Sequence, residues 1–230
     1  MQTWQTDAEL FDLAKRELFP ALVGDVLDKL GFLHQFLPPE VKPIATDMIV
    51  IGRAMPVLEI DVFDEVSPAD HNPVMKKPFG LMFEALDQLR EHDVYICSGA
   101  SPRYALWGGL MSMRARNLKA AGAVMNGYHR DTNEILRLNF PTFSMGSYAQ
   151  DQGPRGKVID YNVPIEWGRV RIMPGDIVYG DRDGVLVIPR AVERDAFVGA
   201  LEKVRGERHV LKALENGMST VEAYEHFGIM

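Results

Sequence analysis

Apolar residues recur every three or four positions near both ends of the chain, which is the spacing of one face of a helix. Over 7–18 and 20–30 this pattern predicts two amphipathic helices, the second of which ends at Gly31. Toward the other end, the same spacing predicts helices over 190–215 and 219–226. Both ends of the chain are therefore predicted to be helical.

Shorter apolar runs lie between these helices and predict strands. The run over 47–60 reads as a strand interrupted by Gly52 and Pro56, and a further helix is predicted over 79–90. The polar stretch over 61–78 has no clear period and is predicted to be a loop. Additional short strands are expected at 141–145, 157–163, 169–172, 176–180 and 184–188.

The centre of the chain has the order strand, helix, strand, with a strand over 93–97, a helix over 107–121 and a strand over 123–126. Two parallel strands need such a crossover, which is right-handed in nearly all proteins. The sequence therefore predicts the α/β fold class. We expect a single compact domain with a central βαβ unit and flanking N- and C-terminal helices.

The composition of the chain limits the classes of function that it can have. The chain has 230 residues, of which 47% are hydrophobic, so it can bury one sizeable core. Its net charge of −7 gives no basic surface for nucleic acid. The one cysteine, Cys97, cannot form an internal disulfide, and its apolar surroundings predict a buried thiol. No signal peptide or membrane span is evident, so a cytoplasmic protein without membrane or nucleic-acid partners is expected.

The segment WGGLMSMRARNLKAAGAVMNGYHRD carries the most specific chemistry. Gly108 and Gly109 open the predicted helix, and the free N–H groups at a helix start attract anions. After the following strand come Arg130, whose guanidinium can hold a carboxylate through two parallel bonds, and Asp131. A single aspartate with waters suits Mg²⁺ better than Zn²⁺. The segment therefore predicts a site for a small carboxylate and a hard metal ion.

This segment and three others resemble the RraA-like family, which includes the 4-hydroxy-4-methyl-2-oxoglutarate aldolases. The other three are GDVLDKLG at 24–31, a GRA turn at 52–54, and NVPIEWGRVRIMPGDIVYGDRDGVLVIPR at 162–190. The resemblance implies a domain of the swivelling β/β/α type over 1–230. We then expect N-terminal helices over 7–30, an α/β core over 47–190 and C-terminal helices over 191–230. It also implies assembly as a homotrimer or a dimer of trimers.

The resemblance further implies a lyase that depends on a divalent metal, Mg²⁺ or Mn²⁺. Such an enzyme cleaves a 4-hydroxy-2-oxo acid to pyruvate and often decarboxylates oxaloacetate. Position by position, Asp131 matches the metal ligand and Arg130 the substrate-binding arginine, and these two are the expected catalytic residues. The positions that match the substrate-binding backbone amides are Gly108, Gly109, Leu110 and Met111.

One departure from the family pattern leaves alternatives open. The aldolases usually carry an acidic residue at the position of Gly109, with 110–129 between it and Arg130. Glu59, Asp61 or a residue of a neighbouring subunit could replace that acid. A protein of this pattern without it could instead be a non-catalytic, protein-binding regulator of a ribonuclease, or an enzyme of altered chemistry at the same site. The nearby His129 is expected to be structural or to face solvent, and is not among the expected site residues.

Overall fold

A computed structural model describes residues 4–62 and 71–229. The helices are α1 (Asp7–Glu17), α2 (Pro20–Lys29), α3 (Met82–Asp87), α4 (Gly109–Asn117), α5 (Thr132–Leu138), α6 (Glu193–Glu215) and α7 (Thr220–Phe227). The strands are β1 (Lys42–Pro43), β2 (Val50–Asp61), β3 (Asp93–Ser98), β4 (Ala105–Trp107), β5 (Gly122–Met125), β6 (Tyr128–His129), β7 (Thr142–Ser144), β8 (Gly156–Tyr161), β9 (Ile165–Trp167), β10 (Val170–Ile172), β11 (Ile177–Gly180) and β12 (Val185–Ile188). No helix among the described residues is long and apolar enough to cross a membrane.

One mixed sheet forms the centre of the molecule. Its order is β1-β7-β5-β3-β2-β11-β12, and β8 also pairs with β2. The neighbours β2, β3, β5 and β7 run parallel, and β11, β12 and β8 pair antiparallel. Because α4 connects the parallel strands β3 and β5, the predicted βαβ unit and the α/β class are confirmed.

Strand β2 is continuous, so the predicted break at Gly52 and Pro56 is wrong, as is the predicted GRA turn at 52–54. On one side β2 pairs with β3 over 53–58, while on the other it pairs first with β11 over 50–53 and then with β8 over 57–61. Pro56 lies where these two partners change, so its missing N–H removes no ladder bond there. A side chain at Gly52 would lie 2.2 Å from the carbonyl oxygen of His92. Glycine therefore permits close packing here and does not end the strand.

The two faces of β2 contact different parts of the chain. Ile51 packs in a cluster with α1, α2 and α6, and Met55 and Val57 pack in a second cluster with α3 and α4. The alternate residues Val50 and Ala54 face a third cluster, which includes the hairpin of β9 and β10. One face of the sheet thus carries the terminal helices at one end and the crossover helices at the other.

Several short elements depart from the sequence prediction, among them β1, β6 and β9, which lie outside the predicted strands. Strand β4 occupies the start of the predicted helix over 107–121, and α4 ends early because Lys119 adopts a positive φ of 59°. Helix α5 was not predicted, and it follows Asp131 directly. In the predicted loop over 61–78, residues 63–70 lie outside the described part, while Pro73–Lys76 form a turn of 3₁₀ helix.

An ionic cluster joins the terminal helices to the sheet. The Arg53 guanidinium in β2 donates to both carboxylate oxygens of Asp7, at 2.8 and 2.5 Å, and to Glu193 at 2.5 Å. It also donates to the carbonyl oxygen of Gly175 at 3.0 Å. Only 16% of the Arg53 side chain is exposed, and removing it would leave the partly exposed carboxylates of Asp7 and Glu193 close together without the cation that pairs them.

We therefore expect Arg53→Ala to lower the free energy of unfolding by about 2–3 kcal/mol, between the values for exposed and fully buried ion pairs. Urea denaturation followed by circular dichroism measures the change. The control is Arg208→Ala, which removes an exposed ion pair with Glu17 and should change the free energy of unfolding much less. Equal losses in the two variants would contradict the structural role of Arg53.

Candidate functional site

The parallel pairing of β4 with β6 brings the two halves of the predicted site together. The N–H of Arg130 donates to the carbonyl oxygen of Trp107 at 2.9 Å. The glycine pair that follows β4 and the Arg-Asp pair that follows β6 therefore lie side by side. Four of the predicted residues, together with Arg130, line one cavity of about 570 Å³; these four are Gly108, Leu110, Met111 and Asp131.

Asp131 is fixed against the start of α4. It has a left-handed backbone, with φ 57° and ψ 38°, and its Oδ2 accepts a hydrogen bond from the N–H of Gly109 at 3.0 Å. About half of its side chain is exposed, and no donor among the described residues contacts Oδ1. A Cβ at Gly108 would come within 2.8 Å of Oδ2, so only glycine leaves the carboxylate in place. One carboxylate oxygen thus remains available to a ligand.

Arg130 extends into the same cavity with an ion pair that the sequence did not predict. Its Nη1 contacts Oδ1 of Asp151 at 2.7 Å, while its Nε lies 4.0 Å from Oδ2 of Asp131. The side chain is 39% exposed. Asp151 therefore orients the guanidinium, and Nη2 and Nε can still donate to a bound carboxylate.

The first turn of α4 supplies the other donors. The helical bonds of α4 begin with the N–H of Ser112, which donates to the carbonyl oxygen of Gly108. The N–H groups of Leu110 and Met111 precede it and have no acceptor within the helix. The N–H of Gly109 is engaged by Asp131, which leaves the amides of Leu110 and Met111 in the first turn of α4 free to bind substrate.

Glu134 lies where the family's acidic residue would be expected. A Cβ at Gly109 would lie 2.6 Å from Cγ and 2.9 Å from Cβ of Glu134. The side chain of Glu134 thus fills the space beside Gly109, one turn of α5 after Asp131, and pairs with Arg137 at 2.5 Å. An aspartate at position 109 would collide with it. The spacing Asp-x-x-Glu at a helix start is a known signal, and it could have revealed both α5 and this carboxylate.

The two acids that the sequence offered as replacements have other partners. Asp61 accepts from the N–H of Ser101 and the hydroxyl of Tyr104, and pairs with Arg103 at 2.9 Å. Glu59 is fully buried beneath the cavity. Neither carboxylate lies beside Gly109, so the structure does not assign them the missing role.

Glu59 nevertheless reaches the cavity wall through one hydrogen bond. Its Oε2 accepts from the amide of Gln152, a cavity residue, at 2.9 Å, while Oε1 has no N–H or O–H donor among the described residues. Burial raises the pKa of this carboxyl to about 8, and the neighbouring thiol of Cys97 offsets little of that effect. Burial also raises the pKa of the Cys97 thiol, which therefore stays protonated and unreactive.

His129 is held inside the fold. Its Nδ1 lies 2.7 Å from the hydroxyl of Ser144, and its Nε2 lies 3.0 Å from the hydroxyl of Thr132. Burial lowers the pKa of the imidazole, which favours the neutral ring. These contacts give His129 a structural position behind the Arg-Asp pair.

The carboxylates of the site suit a hydrated hard cation. Within residues 4–62 and 71–229, no group of three or more His, Cys, Asp or Glu side chains is arranged to hold a metal. Asp131, with its available Oδ1, offers an oxygen ligand, and Glu134, whose Cβ and Cγ lie beside Gly109, is the nearest further carboxylate that the contacts identify. Mg²⁺ keeps several waters and is bound through one or two carboxylates, so this donor set fits Mg²⁺ or Mn²⁺ better than Zn²⁺.

Comparison with solved structures shows that the fold is that of the RraA proteins. RraAS2 of Streptomyces coelicolor is described as an unusual member of the RNase ES inhibitor RraA protein family. It superposes with a TM-score of 0.74 at 21% identity, covering 90% of this chain and 98% of that chain. An uncharacterized protein from Pseudomonas syringae pv. tomato gives a TM-score of 0.81 at 23% identity, covering 99% and 98%.

The sequence comparison gives the family. A family model described as "RraA-like: Aldolase/RraA" matches residues 20–187. A protein of Halalkalibacterium halodurans named "Putative 4-hydroxy-4-methyl-2-oxoglutarate aldolase" is 31% identical over 204 residues, covering 88% of this chain and 87% of that protein. The chain belongs to the RraA-like family, as the sequence motifs predicted.

The buried carboxyl of Glu59 gives a prediction for stability. Because its pKa is about 8 in the folded protein and 4.5 is the ordinary value, the folded state holds a proton that the unfolded state releases. Its contribution to stability falls as pH rises from about 4.5 to about 8, and is constant above that range. At about 1.4 kcal/mol per unit, the stability of Glu59→Gln relative to the wild type should rise by about 4 kcal/mol between pH 5 and pH 8.

Urea denaturation of both proteins at several pH values checks this expectation. The exposed Glu215→Gln on α6 controls for the amide substitution itself. A difference between Glu59→Gln and the wild type that stays constant with pH would show that Glu59 is ionised in the folded protein.

Proposed function

We propose that the protein is a divalent-metal-dependent lyase that cleaves the carbon–carbon bond of a 4-hydroxy-2-oxo acid, releasing pyruvate, with oxaloacetate decarboxylation as a side activity. The observation that carries this proposal is the joint position of Arg130 and Asp131 in one cavity beside the unbonded amides of α4. The family's aldolase names support the same reaction class. The predicted homotrimer or dimer of trimers rests on the resemblance alone, and the cytoplasmic location stays a prediction from the sequence.

In this proposal Arg130 and the amides bind the substrate's carboxylate. Asp151 holds Nη1, which leaves two guanidinium nitrogens directed at the cavity. The N–H groups of Leu110 and Met111 add donors that need no side-chain movement. Lysine could not replace Arg130, because it lacks the planar fork that fixes the orientation of a carboxylate.

Asp131 and Glu134 would hold Mg²⁺ or Mn²⁺ in the same proposal. The N–H of Gly109 fixes the Asp131 carboxylate in advance, so little conformational freedom is lost on binding the ion. When bound, the ion would supply a Lewis acid for the 2-oxo oxygen, where negative charge develops as the bond breaks. Arg130 adds positive charge close to the same position.

The first test is pyruvate release from 4-hydroxy-4-methyl-2-oxoglutarate and from oxaloacetate, followed by coupling to lactate dehydrogenase. We expect turnover with Mg²⁺ or Mn²⁺ and its loss with a chelator. Asp131→Asn should lower kcat/KM at least about 100-fold. Even residues that only hydrogen-bond to a metal ligand typically lower metal affinity or activity about 10–100-fold when they are mutated. The control is Asp28→Asn, which alters an exposed carboxylate on α2. If neither substrate were turned over above background, the lyase proposal would be contradicted and the alternative of a non-catalytic, protein-binding regulator would be favoured.

A second test concerns Glu134. If this carboxylate binds the ion, Glu134→Gln should weaken Mn²⁺ binding about 10-fold, measured by electron paramagnetic resonance titration of free Mn²⁺. Arg137→Gln removes the same ion pair while keeping the carboxylate, so it should not weaken the affinity. Equal weakening in both variants would mean that the Glu134–Arg137 pair acts by shaping α5.

A further inference from the structure

Most of the cavity wall beyond Arg130 and Asp131 is apolar. The segment before α3 contributes Phe79, α3 contributes Met82, Phe83 and Leu86, and the first turn of α4 contributes Leu110. The side chain of Phe83 is 54% exposed and that of Leu110 is 88% exposed, so both face open space at the cavity. A volume of about 570 Å³ is in the range that holds drug-sized ligands and exceeds what a pyruvate unit fills.

The backbone of Phe79 holds its ring at this wall. Phe79 has a φ of 57°, a left-handed conformation that is unusual for a bulky residue, and Gly80 follows with a φ of 64°. Strand β8 fixes both residues: Val158 donates to the carbonyl oxygen of Phe79 at 3.1 Å and accepts from the N–H of Leu81 at 2.8 Å. The rings of Phe79 and Phe83 then meet edge to face, with centroids 5.6 Å apart. A strained conformation held by the surrounding structure is typical of functional sites.

The charged side chains of the cavity favour a substrate with one carboxylate over a substrate with two. Its two arginines are Arg130 and Arg114, and each is already paired, with Asp151 and Asp87 respectively, at 2.7 Å. Asp131 adds a further carboxylate to the lining. Asp87 engages only Nε of Arg114, but the aspartates of the lining outnumber its arginines, so a second carboxylate on a substrate would meet a net negative charge and an otherwise apolar wall.

We infer that this site takes 2-oxo acids with one carboxylate and an apolar group, aryl or branched alkyl, at the far end. The inference rests on the proposed lyase function and narrows its substrates to 4-hydroxy-2-oxo acids whose C4 carries that apolar group. The named substrate of the Halalkalibacterium relative, 4-hydroxy-4-methyl-2-oxoglutarate, carries a second carboxylate instead.

The reaction balances without an oxidant or reductant. In 4-hydroxy-2-oxo-4-phenylbutanoate, the bond between C3 and C4 breaks and its electron pair stays on C3. The 4-hydroxyl loses its proton as C4 becomes the carbonyl of benzaldehyde. C3 takes up one proton, which completes pyruvate.

Equilibrium binding tests the inference without any catalysis. Phenylpyruvate and 2-oxoglutarate share the 2-oxo acid and differ in the far group, a phenyl ring against a carboxylate. With Mg²⁺ present, we expect calorimetry to show phenylpyruvate binding at least about tenfold more tightly, as burial of an aromatic ring against apolar side chains favours it.

Three variants test which side chains set this preference. Phe83→Ala should reduce the preference for phenylpyruvate about fivefold, because half of the aromatic pair is lost. Asp87→Asn should tighten 2-oxoglutarate binding several-fold, because it releases Arg114. The control is Tyr224→Ala, which removes an exposed ring of α7 outside the cavity and should leave the preference unchanged.

The kinetic test compares kcat/KM for pyruvate release from 4-hydroxy-2-oxo-4-phenylbutanoate and from 4-hydroxy-4-methyl-2-oxoglutarate. We expect kcat/KM to be at least about tenfold higher for the phenyl substrate. Equal or greater activity and affinity for the dicarboxylates would overturn the inference and leave the lyase intact. Preferential phenylpyruvate binding with no pyruvate from any substrate would overturn the lyase and support the inference. If Phe83→Ala changed the oligomeric mass but not the preference, a second copy of the chain would cover this wall, which also overturns it.

Discussion

The pairing of β4 with β6 is the interaction on which the candidate site depends. Each strand has only two or three residues, and the bond from the N–H of Arg130 to the carbonyl oxygen of Trp107 joins them. This contact sets the start of α4 against the start of α5, so that the N–H of Gly109 meets the Asp131 carboxylate. Without side chains at 108 and 109 the two backbones can approach this closely. One contact therefore sets the positions proposed for the cation and for the substrate carboxylate.

The order of the chain allowed much of this to be predicted. A strand, a glycine-opened helix and a second strand have to return the chain to the same sheet edge, so Gly108 and Arg130 could be placed near each other from the sequence. The predicted helices at both ends were likewise confirmed, because their apolar periodicity reflects real packing on the sheet. The error in β2 arose because Gly52 and Pro56 usually interrupt strands, and only the change of partner from β11 to β8 removes that penalty.

The rest of the site depends on contacts between distant segments, for which local periodicity gives no signal. Asp151 and Gln152 reach the cavity from the segment before β8, and Phe79 is placed by hydrogen bonds to Val158. Glu134 was missed for a different reason. The family comparison directs attention to a single position, Gly109, whereas the carboxylate beside that position belongs to the next helix.

The cluster around Arg53 has a consequence for the order in which the protein is made. Arg53 is separated from Asp7 by 46 residues and from Glu193 by 140 residues. A ribosome therefore completes Asp7 and Arg53 long before it reaches Glu193, and closing so long a loop carries an entropic cost. Until α6 emerges, the growing chain holds the guanidinium with one of its two carboxylates and leaves the apolar face of α2 uncovered. The nascent protein is therefore most exposed to aggregation and to chaperone binding in the interval before its last long helix is translated.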